Sequence, residues 1–245
     1  MKWCDEAIIL SVRSHGETAV IVELFTRNHG RTFGLMLGGQ SRKRRPMLQM
    51  GNHVDATWNA RLGEHLGRIQ LELHTAYAAR VLEDAAALAM LISMSSLIRH
   101  LPERDPHANL FEISIFVLKF INDIRVWPAL YARWELTLLD ELGFGLDLSS
   151  CAATHVRDNL VYVSPKSGKA VSEIAGAPYK DKLLPLPQFF CNQHNSVPSV
   201  NDVLNGLRLT GFFLTARLSS QQKYILPEAR ERMKDLLHRF KVDKV

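Results

Sequence analysis

Cysteine is scarce: the 245-residue chain has three, Cys4, Cys151 and Cys191. Their odd number and wide spacing argue against a disulfide framework and suit a reducing compartment. Long apolar runs are missing too. The longest, such as Ala85 to Ile92, fall well short of the roughly 20 residues that a membrane-spanning helix needs. The opening Met1-Lys2-Trp3-Cys4-Asp5-Glu6 carries acids early and has no apolar core of signal-peptide length, so the expectation is a soluble cytoplasmic protein without a membrane partner. There is no internal repeat and no low-complexity tail.

Catalytic patterns are also absent. No Walker-type phosphate loop occurs, and Ser41, Ser164 and Ser172 lie in no nucleophile elbow. His15, His29, His53 and His65 are scattered through turns. Asp140 and Glu141 are adjacent on a helix and so do not face each other. Without an acid/base pair or an acidic metal-binding cluster, binding is expected rather than catalysis, and no cofactor is implied.

What remains is an ordinary globular composition, 47% hydrophobic and 22% charged, with a formal net charge of +5. That length suffices for one large domain or two small ones. The modest positive charge permits binding to polyanions without demanding it. Its distribution is more informative. Arg42-Lys43-Arg44-Arg45 stand between Gly38-Gly39 and Pro46, Arg27 and Arg31 precede them, and no Asp or Glu occurs from Arg27 to Gln49.

The hydrophobic pattern places this cationic run in a loop. Ala7–Val12, Ala19–Thr26 and Thr32–Leu37 read as strands, with turn signals at Ser14–Glu17, Asn28–Gly30 and Gly38-Gly39. After Gly51-Asn52 a fourth strand alternates through Val54, Ala56, Trp58 and Ala60. A turn over Leu62–Gly67 leads to a fifth through Ile69, Leu71 and Leu73. Five short strands in under 80 residues suggest a small closed barrel, because closure removes exposed edges. The pattern then turns helical: Ala79–Ile98, a helix capped by Asn109, and one from Trp127-Pro128 to Gly143. Residues 151–187 are rich in glycine and proline around a β-rich Leu160–Val163. A helix opened by Ser199 or Asn201 and a basic one over Pro227–Phe240 close the chain.

A polyanion would release counterions on meeting the Arg42–Arg45 loop, which gives sequence-independent affinity. Phe33 and Trp58, on neighbouring strands, are candidate stacking platforms for single-stranded nucleic acid, with core packing as their alternative role. The expected contact set is therefore Arg27, Arg31, Arg42, Lys43, Arg44, Arg45, Phe33 and Trp58. A metal site could be assembled from Cys151, His155, Cys191 and His194, but Cys151 begins Cys-x-x-Thr and the spacing matches no zinc pattern. No metal is expected.

The segments Asp5–Leu10, His15–Thr18 and Leu24–Arg31, then Gly38-Gly39 before the basic loop and Leu48-Gln49-Met50-Gly51, resemble the opening of the RecO family of bacterial recombination mediators. Ser164–Gly168 and Leu183-Leu184-Pro185-Leu186-Pro187 resemble the lobe of its proteobacterial members. The resemblance implies an α+β architecture. Its parts are an oligonucleotide-binding (OB-fold) barrel over 1–78, a helical domain over 79–148 and 197–245, and an inserted lobe over 149–196. That lobe binds zinc in some members, and here Thr154 replaces the second cysteine while the later cysteine pair is missing. The resemblance further implies binding to single- and double-stranded DNA, strand annealing, and action with RecR, and often RecF, in placing RecA on DNA. It also implies contact with the acidic C-terminal tail of single-strand-binding protein. Arg125, Arg133, Arg208 and Arg217 are the candidate cations for that tail. The alternative is a protein-interaction scaffold whose basic loop is merely solvated.

Overall fold

The computed structural model describes residues 1–62, 66–191, 198–219 and 224–242. The expected turn over Leu62–Gly67 therefore lies partly outside the described residues. The chain forms two compact units, Met1–Asn122 and Asp123–Val245.

The first unit is built on β1 (Lys2–His15), β2 (Ala19–Thr26), β3 (Gly30–Met36), β4 (His53–Asn59) and β5 (Gly67–Thr75). They close in the order β1-β2-β3-β5-β4, with all five expected strands in place. Every pairing is antiparallel except β3 with β5, which meet in parallel over only two registers, Gly34↔Gly67 and Leu35↔Arg68. A side chain at position 34 would collide with Ile69, so glycine there lets the two strands approach. Beside it, the Trp58 indole donates to the Phe33 carbonyl at 3.1 Å. The barrel is filled by Ile9, Val22, Leu24, Val54, Trp58 and Ile69, and Leu48 plugs it from the long β3–β4 loop. Ala7–Leu10 are buried without alternation because β1 has apolar cover on both faces: the barrel interior inside, helix α2 outside.

The helix expected over Ala79–Ile98 is two: α1 (Tyr77–Arg80) and α2 (Ala85–Ile98). Asp84 separates them, its carboxylate accepting from the Ala86 and Ala87 amides at 2.9 and 3.0 Å as an N-cap. Helix α3 (Ala108–Lys119) starts with His107 in the cap position, so Asn109 lies inside the first turn and caps nothing. Phe25 of β2 meets Phe111 of α3 at 5.7 Å between ring centroids. By their contacts, then, α2 and α3 belong to the barrel's compact unit, whereas the sequence reading groups them with the later helices.

In the second unit, α4 (Trp127–Glu141) carries Pro128 in its first turn, and Gly143 follows in the left-handed region, φ +81°. A three-stranded sheet of β6 (Leu160–Val163), β7 (Ala170–Ser172) and β8 (Leu184–Pro185), with the short α5 (Glu173–Gly176), forms the lobe. Helix α6 (Val200–Leu218) opens with a capping box between Ser199 and Asp202. Helix α7 (Glu228–Val242) is basic as expected, yet Arg230 points inward and is fully buried. Its guanidinium meets Glu135 of α4 at 2.7 and 2.8 Å, and Glu135 also accepts from Thr210 of α6 at 2.5 Å. Burial disfavours the Arg230 charge, but the Glu135 carboxylate outweighs it and raises its pKa. No helix among the described residues is long and apolar enough to cross a membrane.

Removing one partner leaves a buried charge alone. Arg230→Ala or Glu135→Ala should each cost about 3–5 kcal/mol in urea unfolding of the second unit. The pair Arg230→Met with Glu135→Leu should recover most of that loss.

Candidate nucleic-acid interface

Barrel closure sorts the charged strand residues onto two outer faces, because alternate side chains on each strand point in or out. Across β1, β4 and β5 the register aligns Glu6↔Asp55↔Glu72, a row of three acids. Arg27 sits on this side. It bridges Glu6 at 3.2 Å and Glu112 of α3 at 3.0 Å, and lies over the Phe111 ring. Arg27 is thus a clasp between barrel and helix within an acidic surround, and the expectation that it joins the cationic loop is corrected. Buried His53 lies 3.1 Å from Glu6 here, and burial, then neighbouring His74, hold its pKa down.

The opposite face, over β1, β2, β3 and β5, carries the cations. Arg31 belongs to it but is committed to structure. It pairs at 2.7 Å with Glu23, which is fully buried, and donates to the Leu101 carbonyl at 3.1 Å. Arg99 at the end of α2 and Ser11 complete the shell around Glu23, at 3.0 and 2.8 Å. The second correction concerns Trp58. It is only 2% exposed and points into the barrel, so no base reaches it; its even position in the β4 alternation puts it with Val54 and Ala56. Phe33 does face outward and is half-buried, with the Arg13 and Arg31 guanidinium carbons 6.0 and 5.7 Å from its ring centroid. Arg13 and Arg68, both exposed on this face, escaped the sequence reading because single cations in alternating strands make no run; only strand phase would have found them.

The Arg42–Arg45 loop leaves the same end of the barrel, and its backbone is not slack. Gln40 donates to the Gly16 and Ala19 carbonyls at 2.9 and 3.0 Å. A helical turn links Ser41 to Arg44 and Arg45, then Arg44 to Met47 and Leu48. Asn52, fully buried, donates to the Pro46 and Met47 carbonyls at 3.0 and 2.9 Å and accepts from the Ala78 amide at 3.0 Å. Arg44 turns back to the Leu37 carbonyl at 2.5 Å. Arg42, Lys43 and Arg45 are exposed and form no ion pair among the described residues. Three mutually repelling cations on an anchored scaffold are the most available positive charge on the barrel.

Two family models cover the chain. "Recombination protein O N terminal" matches residues 1–77, and "Recombination protein O C terminal" matches 82–224. The chain belongs to the RecO family. Among its relatives, the DNA repair protein RecO of Mesorhizobium japonicum is 49% identical over 230 residues, 94% of this chain and 91% of that protein. The RecO proteins of Rhodospirillum centenum and Methylorubrum extorquens are 49% and 46% identical, over 96% and 95% of this chain and 94% and 96% of theirs. The barrel is accordingly the OB-fold of the family, and the chain is a DNA repair protein of the RecO type.

The four cations expected to receive a partner's tail are not brought together. Arg125 flanks an apolar groove of about 590 Å³ between the starts of α4 and α6 and the end of α7, walled by Ile124, Val126, Val203, Leu237 and Phe240. It is paired with Asp123 at 3.1 Å. Arg208 lines a separate recess with Phe212 and Lys234. Arg133 donates to the Phe189 carbonyl, and Arg217 lies over the Phe144 ring.

The lobe's Cys151 stands where zinc-binding relatives would begin their ligand set, and its surroundings do not fit a metal. The sulfur is fully buried and accepts from the Ser172 amide at 3.3 Å and the Ser172 hydroxyl at 3.4 Å. Its neighbours are hydrogen-bond donors rather than ligands, and no cluster of three metal-binding side chains exists among the described residues. His155 is exposed, Cys191 belongs to the turn after β8, and His194 lies outside the described residues. Burial pushes the Cys151 thiol up, but hydrogen bonds from the Ser172 and Thr154 side chains and the Ser172 and Ala153 amides outweigh it, bringing the pKa from 9.0 down to about 6.

A thiol that ionises more readily in the folded state stabilises it fully above the unfolded pKa, and that contribution is lost as pH falls through the folded one. The stability gap between the native protein and Cys151→Ser should therefore widen as pH rises from about 6 to 9.0. Exhaustive chelation should leave the melting temperature unchanged; a chelator-dependent drop would restore a metal to the lobe.

Proposed function

We propose that this RecO-family chain is a non-enzymatic DNA-binding mediator of recombinational repair, and that the Arg42–Arg45 loop is its phosphate contact. The observation that carries this reading is the combination of exposed, unpaired Arg42, Lys43 and Arg45 with a backbone anchored by Gln40, Leu48 and Asn52. Phosphate contacts need charge held in place, since ordering a slack loop on binding would cost affinity. A contact of this type reads backbone rather than base edges, so it serves single and double strands alike. That suits a protein that anneals complementary strands and, with RecR and RecF, helps RecA onto strands covered by single-strand-binding protein. The acidic row Glu6-Asp55-Glu72 repels a polyanion from the far side of the barrel and so orients it on the loop side.

The second contact in this reading is with the acidic tail of single-strand-binding protein. The groove beside Arg125 supports it: apolar walls for a terminal hydrophobic residue, with an exposed guanidinium whose bond to Asp123 can be exchanged for a tail carboxylate. The work is done by binding alone, without nucleotide hydrolysis.

Replacing Arg42, Lys43, Arg44 and Arg45 together by alanine should weaken single- and duplex-DNA binding alike, and should lower the slope of log K against log salt by about 0.7–0.9 per lost phosphate contact. An unchanged slope with intact folding would return the loop to a solvated role. For the tail, Arg125→Ala should weaken binding of a fluorescent tail peptide several-fold while Arg208→Ala leaves it unaltered; the reverse pattern would move the site to the Arg208 recess.

A further inference from the structure

One row of the barrel crosses four strands on its cationic face. Cα pairing aligns Arg13 of β1 with Ile21 of β2, Ile21 with Leu35 of β3, and Leu35 with Arg68 of β5. All four point outward, since Val12, Val20, Val22, Met36 and Ile69 on either side of them pack into the barrel interior. The two arginines at the ends are exposed, and the two aliphatic residues between them are half-buried. Phe33, two residues from Leu35 and so on the same side of β3, extends the apolar centre. Beyond Leu35 the strip opens into a groove of about 380 Å³ edged by Leu37, Arg44, Arg68 and Gln70, where β3 and β5 diverge after their two shared registers.

We infer that this strip is a seat for unstacked nucleobases, and that it lets the barrel distinguish single-stranded from double-stranded DNA. The inference rests on the proposed DNA-binding role of the barrel and assigns that site a division of labour. A duplex offers only phosphates to a convex β-surface, because its bases are stacked and paired. A single strand offers both phosphates and base faces. An apolar centre flanked by cations matches the second pattern, with Arg13 and Arg68 about the width of the four-strand row apart on phosphates and Phe33, Ile21 and Leu35 beneath the bases. Occupants of other chemistry fit less well: an apolar peptide has no use for the flanking cations, and an acidic peptide has none for the apolar centre.

Phe33 is prepared for this role from inside. Its carbonyl is held by the buried Trp58 indole and its ring is braced by Arg31, itself fixed by Glu23. Arg13, exposed and bound to no acid among the described residues, is the guanidinium that moves from the ring to an incoming phosphate. Trp58 thus supports the platform without being part of it.

The test is fluorescence anisotropy with oligo(dT) and with a duplex of the same length, at one salt concentration. Phe33→Ala should weaken oligo(dT) binding on the order of 10-fold and leave duplex binding within about twofold. Phe33→Trp should retain oligo(dT) binding. Leu35→Glu, on the open surface, should reproduce the selective loss should Phe33→Ala disturb folding. Arg13→Gln and Arg68→Gln should each reduce the oligo(dT) salt slope by about 0.7. Equal losses on both DNAs, or no loss on either while the native protein binds both, would overturn the inference and leave the phosphate loop standing. A native protein that binds neither DNA would remove the proposed function itself.

Discussion

The short parallel contact of β3 with β5 is the constraint on which the first unit depends. Two registers of hydrogen bonding convert an open five-strand sheet into a barrel, and they exist because Gly34 has no side chain to meet Ile69. Closure then fixes an inside for every strand, and the period of two does the rest. Hydrophobic residues at even positions of β4 turn inward, carrying Trp58 with them. Residues at odd positions of β3 turn outward, carrying Arg31, Phe33 and Leu35 to the surface. Because the contact is so short, the strands part beyond it, and the groove beside Arg44 and Arg68 is the gap they leave.

Charge on the barrel follows from the same sorting. Acids on β1, β4 and β5 fall into register as Glu6-Asp55-Glu72, and cations on β1, β3 and β5 gather on the far side with the loop. Not every cation there is available. Glu23 is buried and needs compensation, which Arg31 and Arg99 supply; an isolated carboxylate in that position would be far too costly to keep ionised. The second unit shows the same economy, with Arg230 of a nominally surface helix consumed by Glu135. In both units a basic residue's neighbours across the fold, rather than its neighbours in the chain, decide whether it is open to a ligand.

Much of this was legible beforehand. The five strands are written in glycine turns and alternating apolar residues, and the cationic loop is contiguous, so both were read without the fold. The break before α2 was not: Ala79–Ile98 looks uniformly helical, and only the capping geometry of Asp84 divides it. Arg27 and Arg31 stand close to the loop in sequence, yet strand direction sends one toward Glu6 and Glu112 and the other onto Glu23. Arg13 and Arg68 lie 55 positions apart in the chain (68 − 13) and share a row only because four strands bring them there.

The sequence by itself determined the family, the order of barrel, helices and lobe, and the position of the free cations in Arg42–Arg45, because each is encoded in local pattern or contiguous charge. Which aromatic faces solvent, which arginines are already spent on buried carboxylates, and how Ser172 surrounds Cys151 were decided only by the tertiary structure. Strand phase, closure and burial are long-range properties, and they relate residues that no local window contains.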